Sequence, residues 1–257
     1  KRCMQLCLGL DSTTALGLCD AVQQRARPLD GASWRPMTIL KGGLLAPTHA
    51  PTSRGCLNSL HIPKTGGSSV RVTLENAADK YLDDPRYTGH RRFREHATCP
   101  KWINKQFCAF KGGTCSFGHI PPDADPVVRA SYNICDTFCV VRHPVDRLVS
   151  QWHFEKGFDC DFDKFSARVR AIPRFPKYSK DCHHVSQVEY TSTCTHILRY
   201  EDLQEDFSGL MAAYGLNISS DLHDLKRKKC PHWRIGGTLL KDIWNIWAAD
   251  YDAFGYF

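Results

Sequence analysis

Nine consecutive residues constrain this chain more than any other stretch: His61-Ile62-Pro63-Lys64-Thr65-Gly66-Gly67-Ser68-Ser69. A short apolar run, Cys56-Leu57-Asn58-Ser59-Leu60, precedes them and is long enough for a buried strand. After them Val70, Leu74, Ala77, Ala78 and Tyr81 recur at helical spacing, with charged residues between. The order is strand, glycine loop, helix. Two glycines let backbone N–H groups turn inward, and the helix start adds unpaired N–H groups and the positive end of a dipole. Lys64 contributes a charge, and Thr65, Ser68 and Ser69 contribute hydroxyl donors. These are the parts of a phosphate cradle. The NTPase loop is written differently, G-x-x-x-x-G-K-[ST], with Lys after the last glycine. Here Lys64 precedes Gly66 and Gly67, and no G-K-[ST] occurs in the chain. Taken alone, the stretch also fits a strand-to-helix turn that merely needs flexible residues.

The sequence downstream of Leu57 alternates strand and helix patterns, which favours an α/β fold with a parallel sheet and helices on both faces. Phe107 to Phe110 and Thr114 to His119 read as short strand material. Thr137-Phe138-Cys139-Val140-Val141 is a buried-strand run that leads into Arg142-His143-Pro144, with Pro144 suited to a first helical position. Thr195 to Arg199 reads as a strand, followed by a helix with apolar Leu203, Phe207, Leu210, Met211 and Tyr214. A last helix carries Leu240, Ile243, Trp244, Trp247, Tyr251 and Phe254, a stripe expected in the core. Residues 1–55 form a separate extension: Ala15 to Ala26 suits a helix, the rest is rich in Pro, Gly and Thr, and Cys3, Cys7 and Cys19 are candidates to staple it. The body of the protein is expected at 56–257.

At 257 residues the chain can bury roughly 70–75% of its unfolded surface. It therefore does not need disulfides to have a core, yet it carries thirteen cysteines. That usage points to an oxidising compartment with several disulfides, in a pairing the sequence does not reveal and with an odd count that leaves at least one unpaired within the chain. Asn217-Ile218-Ser219 is a glycosylation sequon consistent with the secretory route. No apolar run reaches the 18 residues of a membrane span, and no secretory signal is visible. The first residue is Lys1 rather than Met, which leaves room for a removed anchor. The net charge is +7, concentrated in three clusters: Arg86 to His96, Arg168 to Lys180, and Lys226 to Lys229. Each alone is read as a solvated face, and the three together favour an anionic ligand. No nucleic-acid-binding motif appears.

Two strand-to-helix junctions, His61 to Ser69 and Val141 to Trp152, belong at the carboxyl edge of such a sheet, where ligands bind. Arg142 at a strand end and Ser150 two helical turns later suit a second phosphate. At this point a resemblance becomes specific. His61 to Ser69 resembles the 5′-phosphosulfate loop of the Golgi-type carbohydrate sulfotransferases, and Val141 to Ser150 resembles their 3′-phosphate segment. Leu198-Arg199-Tyr200-Glu201-Asp202-Leu203 is similar to a third recurring stretch of that superfamily. The heparan and chondroitin 2-O-sulfotransferase branch is the most similar, because Phe117-Gly118-His119 falls where that branch carries its catalytic His.

The resemblance implies the P-loop-like sulfotransferase fold and 3′-phosphoadenosine 5′-phosphosulfate as cofactor, with 3′,5′-adenosine bisphosphate as product. It also implies in-line transfer to a hydroxyl or amine, on a glycan by default, in the Golgi lumen. His119 is the expected base, since neutral imidazole is well poised near pH 7. Lys64 is the expected cation at the bridging oxygen. Thr65, Gly66, Gly67, Ser68 and Ser69, with Arg142 and Ser150, are the expected cofactor contacts. Arg91, Arg92, Arg94 and His96 are candidate acceptor contacts, and Lys226 to Lys229 with Arg234 a candidate cover over the cofactor. The plainer readings stay open: His119 as a turn residue, Ser150 as a surface hydroxyl, Arg147 paired with Asp146 or Glu201, and Glu95, His90 or His96 as rival bases. A small-metabolite acceptor, a P-loop kinase or NTPase, and a non-catalytic polyanion-binding module are the alternatives. No metal is expected: Asp159, Asp161 and Asp163 begin like a calcium loop, but Lys164 stands where Gly is required. Cys182-His183-His184 with Cys194 and His196 lacks zinc spacing. The segment from Phe158 to Thr195 matches nothing in the family.

Overall fold

Three parallel strands carry the architecture of the computed structural model, which describes residues 56–81, 113–133, 135–156, 159–218, 230 and 233–256. All of them belong to a single compact unit. The described elements are β1 (Leu57–Leu60), α1 (Gly67–Tyr81), α2 (Pro126–Tyr132), β2 (Asp136–Val141), α3 (Pro144–Lys156), α4 (Phe162–Ala171), β3 (His196–Arg199), α5 (Leu203–Ala213), α6 (Gly237–Ile246) and α7 (Ala248–Phe254). Short 3₁₀ turns connect them, including Phe117–His119, Lys180–Cys182 and Gln187–Thr193. The strand order is β1-β2-β3, with Leu57 opposite Asp136 and Phe138 opposite His196. The expected α/β class is therefore present, with the strands expected at Cys56 to Leu60, Thr137 to Val141 and Thr195 to Arg199.

Because side chains alternate along a strand, each strand serves both faces. Leu57, Phe138, Val140 and Leu198 join Val70 and Leu74 of α1 and Leu203, Phe207, Leu210 and Met211 of α5 in one apolar cluster. Leu60, Cys139, Val141 and Ile197 face the other way, against Ile120, Val128, Tyr190, Tyr251 and Phe254. Every residue of β2 is buried, as a central strand covered on both faces requires. A third cluster joins Leu148 and Trp152 of α3, Phe165 and Val169 of α4, and Leu239, Ile243 and Trp247 near the end of the chain.

Among the described residues four disulfides tie this frame together: Cys56–Cys135, Cys115–Cys182, Cys139–Cys194 and Cys160–Cys230. The first joins the starts of the neighbouring strands β1 and β2. The third joins β2 to the residue two places before β3. No helix of the described residues is long and apolar enough to cross a membrane.

Several expectations are corrected. Thr114 to His119 is not a strand; it ends in the 3₁₀ turn Phe117–His119. The last helix is two, α6 and α7, separated at Trp247, and its stripe is only partly core. Ile243, Trp247, Tyr251 and Phe254 are buried, whereas Leu240 and Trp244 are exposed, one turn apart on a different face of α6 from the buried Leu239 and Ile243. Within the second basic cluster Arg168 pairs with Glu155, Arg170 with Asp242, and Lys177 with Glu189. That cluster is largely neutralised by its own surroundings. Phe107 to Phe110, the first 55 residues, the Arg86–His96 cluster and Lys226 to Lys229 lie outside the described residues.

Candidate active site

The carboxyl ends of β1, β2 and β3 release three connections at one edge of the sheet: His61–Gly66, Arg142–His143 and Tyr200–Asp202. The first is a tight loop. Thr65 is buried, and its hydroxyl donates to the Ile62 carbonyl at 2.9 Å. Lys64 and Gly66 both adopt positive φ, 70° and 95°. The glycines are required by close approach of the protein's own rings. A Cβ on Gly66 would lie 2.8 Å from the Tyr200 ring, and one on Gly67 would lie 1.8 Å from His61 Nδ1. Ser69 N and Val70 N donate back to the Gly66 carbonyl, and this starts α1. Ser68 is exposed and Ser69 half-buried in that first turn.

Two arginines bind this loop to the second junction. Arg147 is 3% exposed, and its Nε donates to the Pro63 carbonyl at 3.0 Å. Its Nη atoms donate to the carbonyls of Val185 and His183. The carboxylate it faces is Asp250, at 4.0 Å, rather than Asp146 or Glu201. Burial lowers the guanidinium's pKa, with Asp250 opposing the shift. Glu201 instead accepts from His143 N and from the Tyr256 hydroxyl. Arg142 lies over the Tyr200 ring, 3.9 Å from its centroid, with Nη1 3.5 Å from the Lys64 carbonyl. Its Nε is buried without a hydrogen-bond partner. Both backbone groups of Arg142 are gripped by Gln187, whose Oε1 accepts from the N–H and whose Nε2 donates to the C=O, each at 2.9 Å. Asp250, fully buried, accepts in turn from Gln187 N, Gln187 Nε2, Val188 N and the Ser186 hydroxyl. Ser150 lies half-buried on α3.

His119 comes from the opposite side of the sequence and meets the first loop by ring stacking, 5.1 Å from the His61 centroid. Its Nδ1 is 2.7 Å from Asp181 Oδ2 and 3.1 Å from the Ser116 hydroxyl. An ionised carboxylate only accepts, so Nδ1 carries the proton toward Asp181 and Nε2 keeps its lone pair. Burial pushes the Asp181 carboxyl up, but hydrogen bonds from His119 and Ser116 outweigh it and hold the group below the usual range. Asp181 is presented by an unusual backbone: Lys180, Asp181 and Cys182 all have positive φ. The Cys115–Cys182 disulfide clips this turn to the segment bearing His119, and the Tyr190 hydroxyl donates to the carbonyls of His119 and Cys182.

A third imidazole, His183, stands edge-on to His119 at 5.0 Å. Burial, then the neighbouring His119, hold its pKa down to about 3, against the pull of Asp181. His61 is also lowered to about 3, by burial first and then by His119, His183, Lys64 and Arg71. Near pH 7 both are neutral. Lys64 Nζ lies 4.1 Å from the centroid of Phe154, a ring 58% exposed that also contacts His183.

Lys64, Arg142 and His119 thus lie around one edge of the sheet. Arg91, Arg92, Arg94 and His96, with the rival bases Glu95 and His90, lie outside the described residues; Arg234 is exposed. Sequence reasoning missed Asp181, Gln187, Asp250 and Phe154. None lies in a recognisable motif, and the nearest signal was Cys182 beside Asp181. Comparison of the chain with family models, with curated proteins and with solved structures finds no match in any of the three.

Proposed function

We propose that this protein is a sulfotransferase with the corresponding fold, using 3′-phosphoadenosine 5′-phosphosulfate and acting on a carbohydrate hydroxyl in the Golgi lumen. The observation that carries the reading is the coupling of two strand-end junctions. Arg142 reaches the Lys64 carbonyl and Arg147 the Pro63 carbonyl, so the two candidate phosphate sites share one edge. The residues fit such a nucleotide. Buried Arg142 Nε has a donor to offer, and the first turn of α1 carries Ser68 and Ser69. Thr65 fits a different role, because its proton is used inside the loop. Four disulfides are compatible with an oxidising compartment.

When bound, the nucleotide supplies an activated sulfuryl group. Lys64 and the first turn of α1 hold its 5′ end, and Arg142, with Ser150 beyond it, holds the 3′ end. The Lys64 ammonium offsets negative charge that grows on a leaving phosphate, an interaction stronger in the transition state than before it. His119 accepts the acceptor's proton at Nε2, while Asp181 fixes the tautomer and steadies the imidazolium that forms. Phe154 offers an exposed ring beside Lys64 and His183. The ion-paired state of the Arg168–Lys177 cluster weighs against a module that binds polyanions by that face.

The test is thermal stabilisation by 3′,5′-adenosine bisphosphate compared with ATP, followed by transfer of labelled sulfate to a panel of glycans and small hydroxyl acceptors. A larger shift with the bisphosphate, and loss of at least a hundredfold in transfer for Lys64→Ala and His119→Ala, is expected. An ATP shift as large, or full transfer by both variants, defeats the reading.

A further inference from the structure

Hydrogen-bond direction around His183 fixes which of its ring nitrogens is left to take a ligand. Glu155 is ion-paired with Arg168 at 2.9 Å, so its carboxylate accepts only. Gln151 Nε2 donates to Glu155 Oε1 at 2.9 Å, which turns Gln151 Oε1 toward His183 Nδ1 at 2.6 Å. His183 Nδ1 must therefore be the donor, and in the neutral ring Nε2 is a bare lone pair. That lone pair faces Asp181 Oδ2, also an acceptor, at 3.8 Å. His119 Nδ1 lies on the same oxygen at 2.7 Å. The three ligand atoms, His119 Nδ1, Asp181 Oδ2 and His183 Nε2, all lie within 4.8 Å of one another.

We propose that His119, Asp181 and His183 bind a divalent transition-metal ion of the zinc class. Two imidazoles and one carboxylate suit that class of ion. An imidazole that ligates a metal characteristically donates its other N–H to an oxygen, and His183 does so to Gln151. A tetrahedral zinc site separates its ligand atoms by about 3.3 Å, given metal–ligand bonds of about 2.0–2.1 Å. The 2.7 Å pair must open and the 3.8 Å pair must close, each by about half an ångström, and the two imidazole nitrogens, within 4.8 Å of each other, must settle at the same spacing. Asp181, on the turn clipped by Cys115–Cys182, has one carboxylate oxygen near a nitrogen of each ring. The positive charge of Lys64, packed on the Phe154 ring beside His183, opposes the ion.

Ligation at His119 Nδ1 sends that ring's proton to Nε2, the nitrogen that takes the acceptor's proton in the proposed transfer. Metal and transfer then exclude each other, a consequence that rests on the transferase reading, whereas metal binding itself does not. The test titrates zinc into the full, disulfide-intact chain by calorimetry and by competition with a chromogenic chelator, with no nucleotide or acceptor present. One equivalent is expected, weakened at least tenfold in both His183→Gln and Asp181→Asn. Affinity and stoichiometry unchanged in both variants overturn the proposal. Cobalt bound to the unaltered protein decides independently of how the variants fold: intense tetrahedral visible bands support the site, and a weak octahedral spectrum defeats it.

Discussion

A Cβ at Gly67 would lie 1.8 Å from His61 Nδ1, closer than atoms of folded proteins come. The sequence suggests that the two glycines serve a ligand, whereas the structure gives them a prior duty to the rings of His61 and Tyr200. Gly67→Ala is expected to destabilise the protein by about 1–3 kcal/mol, the range for overpacking a tight site. His61→Ala removes the obstructing ring, so the double variant should recover part of that loss. Denaturant midpoints of the four proteins, disulfides intact, measure the coupling; simple additivity would mean the ring is not the obstacle. At this scale Lys64, Arg142 and His119 were legible, because each lies in or beside a recognisable motif. Asp181 was not, since it pairs with His119 across 62 residues and no local pattern announces it.

Among the elements, the connection from His183 to Val188 holds the second junction in place. Arg147 ties it to the first loop, Gln187 grips the Arg142 backbone, and Asp250 at the start of α7 satisfies the groups between. Removing Asp250 leaves the Arg147 guanidinium buried without its countercharge and several N–H groups without an acceptor. Asp250→Ala is therefore expected to cost about 3–5 kcal/mol. It should also weaken binding of 3′,5′-adenosine bisphosphate, because Arg142 loses its brace. Chemical denaturation and nucleotide titration check the two effects; retention of both stability and affinity would exclude a bracing role. The helices α1, α3 and α5 were legible from apolar spacing. The break at Trp247 was not, because a stripe with helical period continues in sequence whether or not the axis bends.

For the whole molecule, buried imidazoles set the response to acid. His61 and His183 are lowered to about 3 and His184 to about 4. For His184 the cause is burial first, then Arg168, with Arg147 and Lys180 acting the same way and Glu155 opposing. Unfolded, each takes up a proton near its ordinary value of about 6.5. Between that value and the depressed one the unfolded chain binds more protons than the folded chain, so stability rises with pH across this window. The melting temperature should therefore fall as pH drops from about 6.5 toward 4, read by calorimetry at fixed ionic strength. Neither ring nitrogen of His184 has a hydrogen-bond partner, and its ring packs near Phe175. His184→Phe should hold the melting temperature at pH 7 and flatten the acid slope; an unchanged slope would remove His184 from the account.

The sequence by itself determined the α/β class, the three strands, the two junctions with Lys64 and Arg142, and a cysteine usage that suits disulfides. These follow from burial with periods of 2 and 3.6 residues and from turn chemistry, both local properties. Tertiary structure decided the rest: which cysteines pair, that Arg147 meets Asp250, that Gln187 grips Arg142, and that His61, His119 and His183 gather around Asp181. Such contacts join residues far apart in the chain, and their stability depends on desolvation and hydrogen-bond direction. Both exist only once the sheet has brought the segments together.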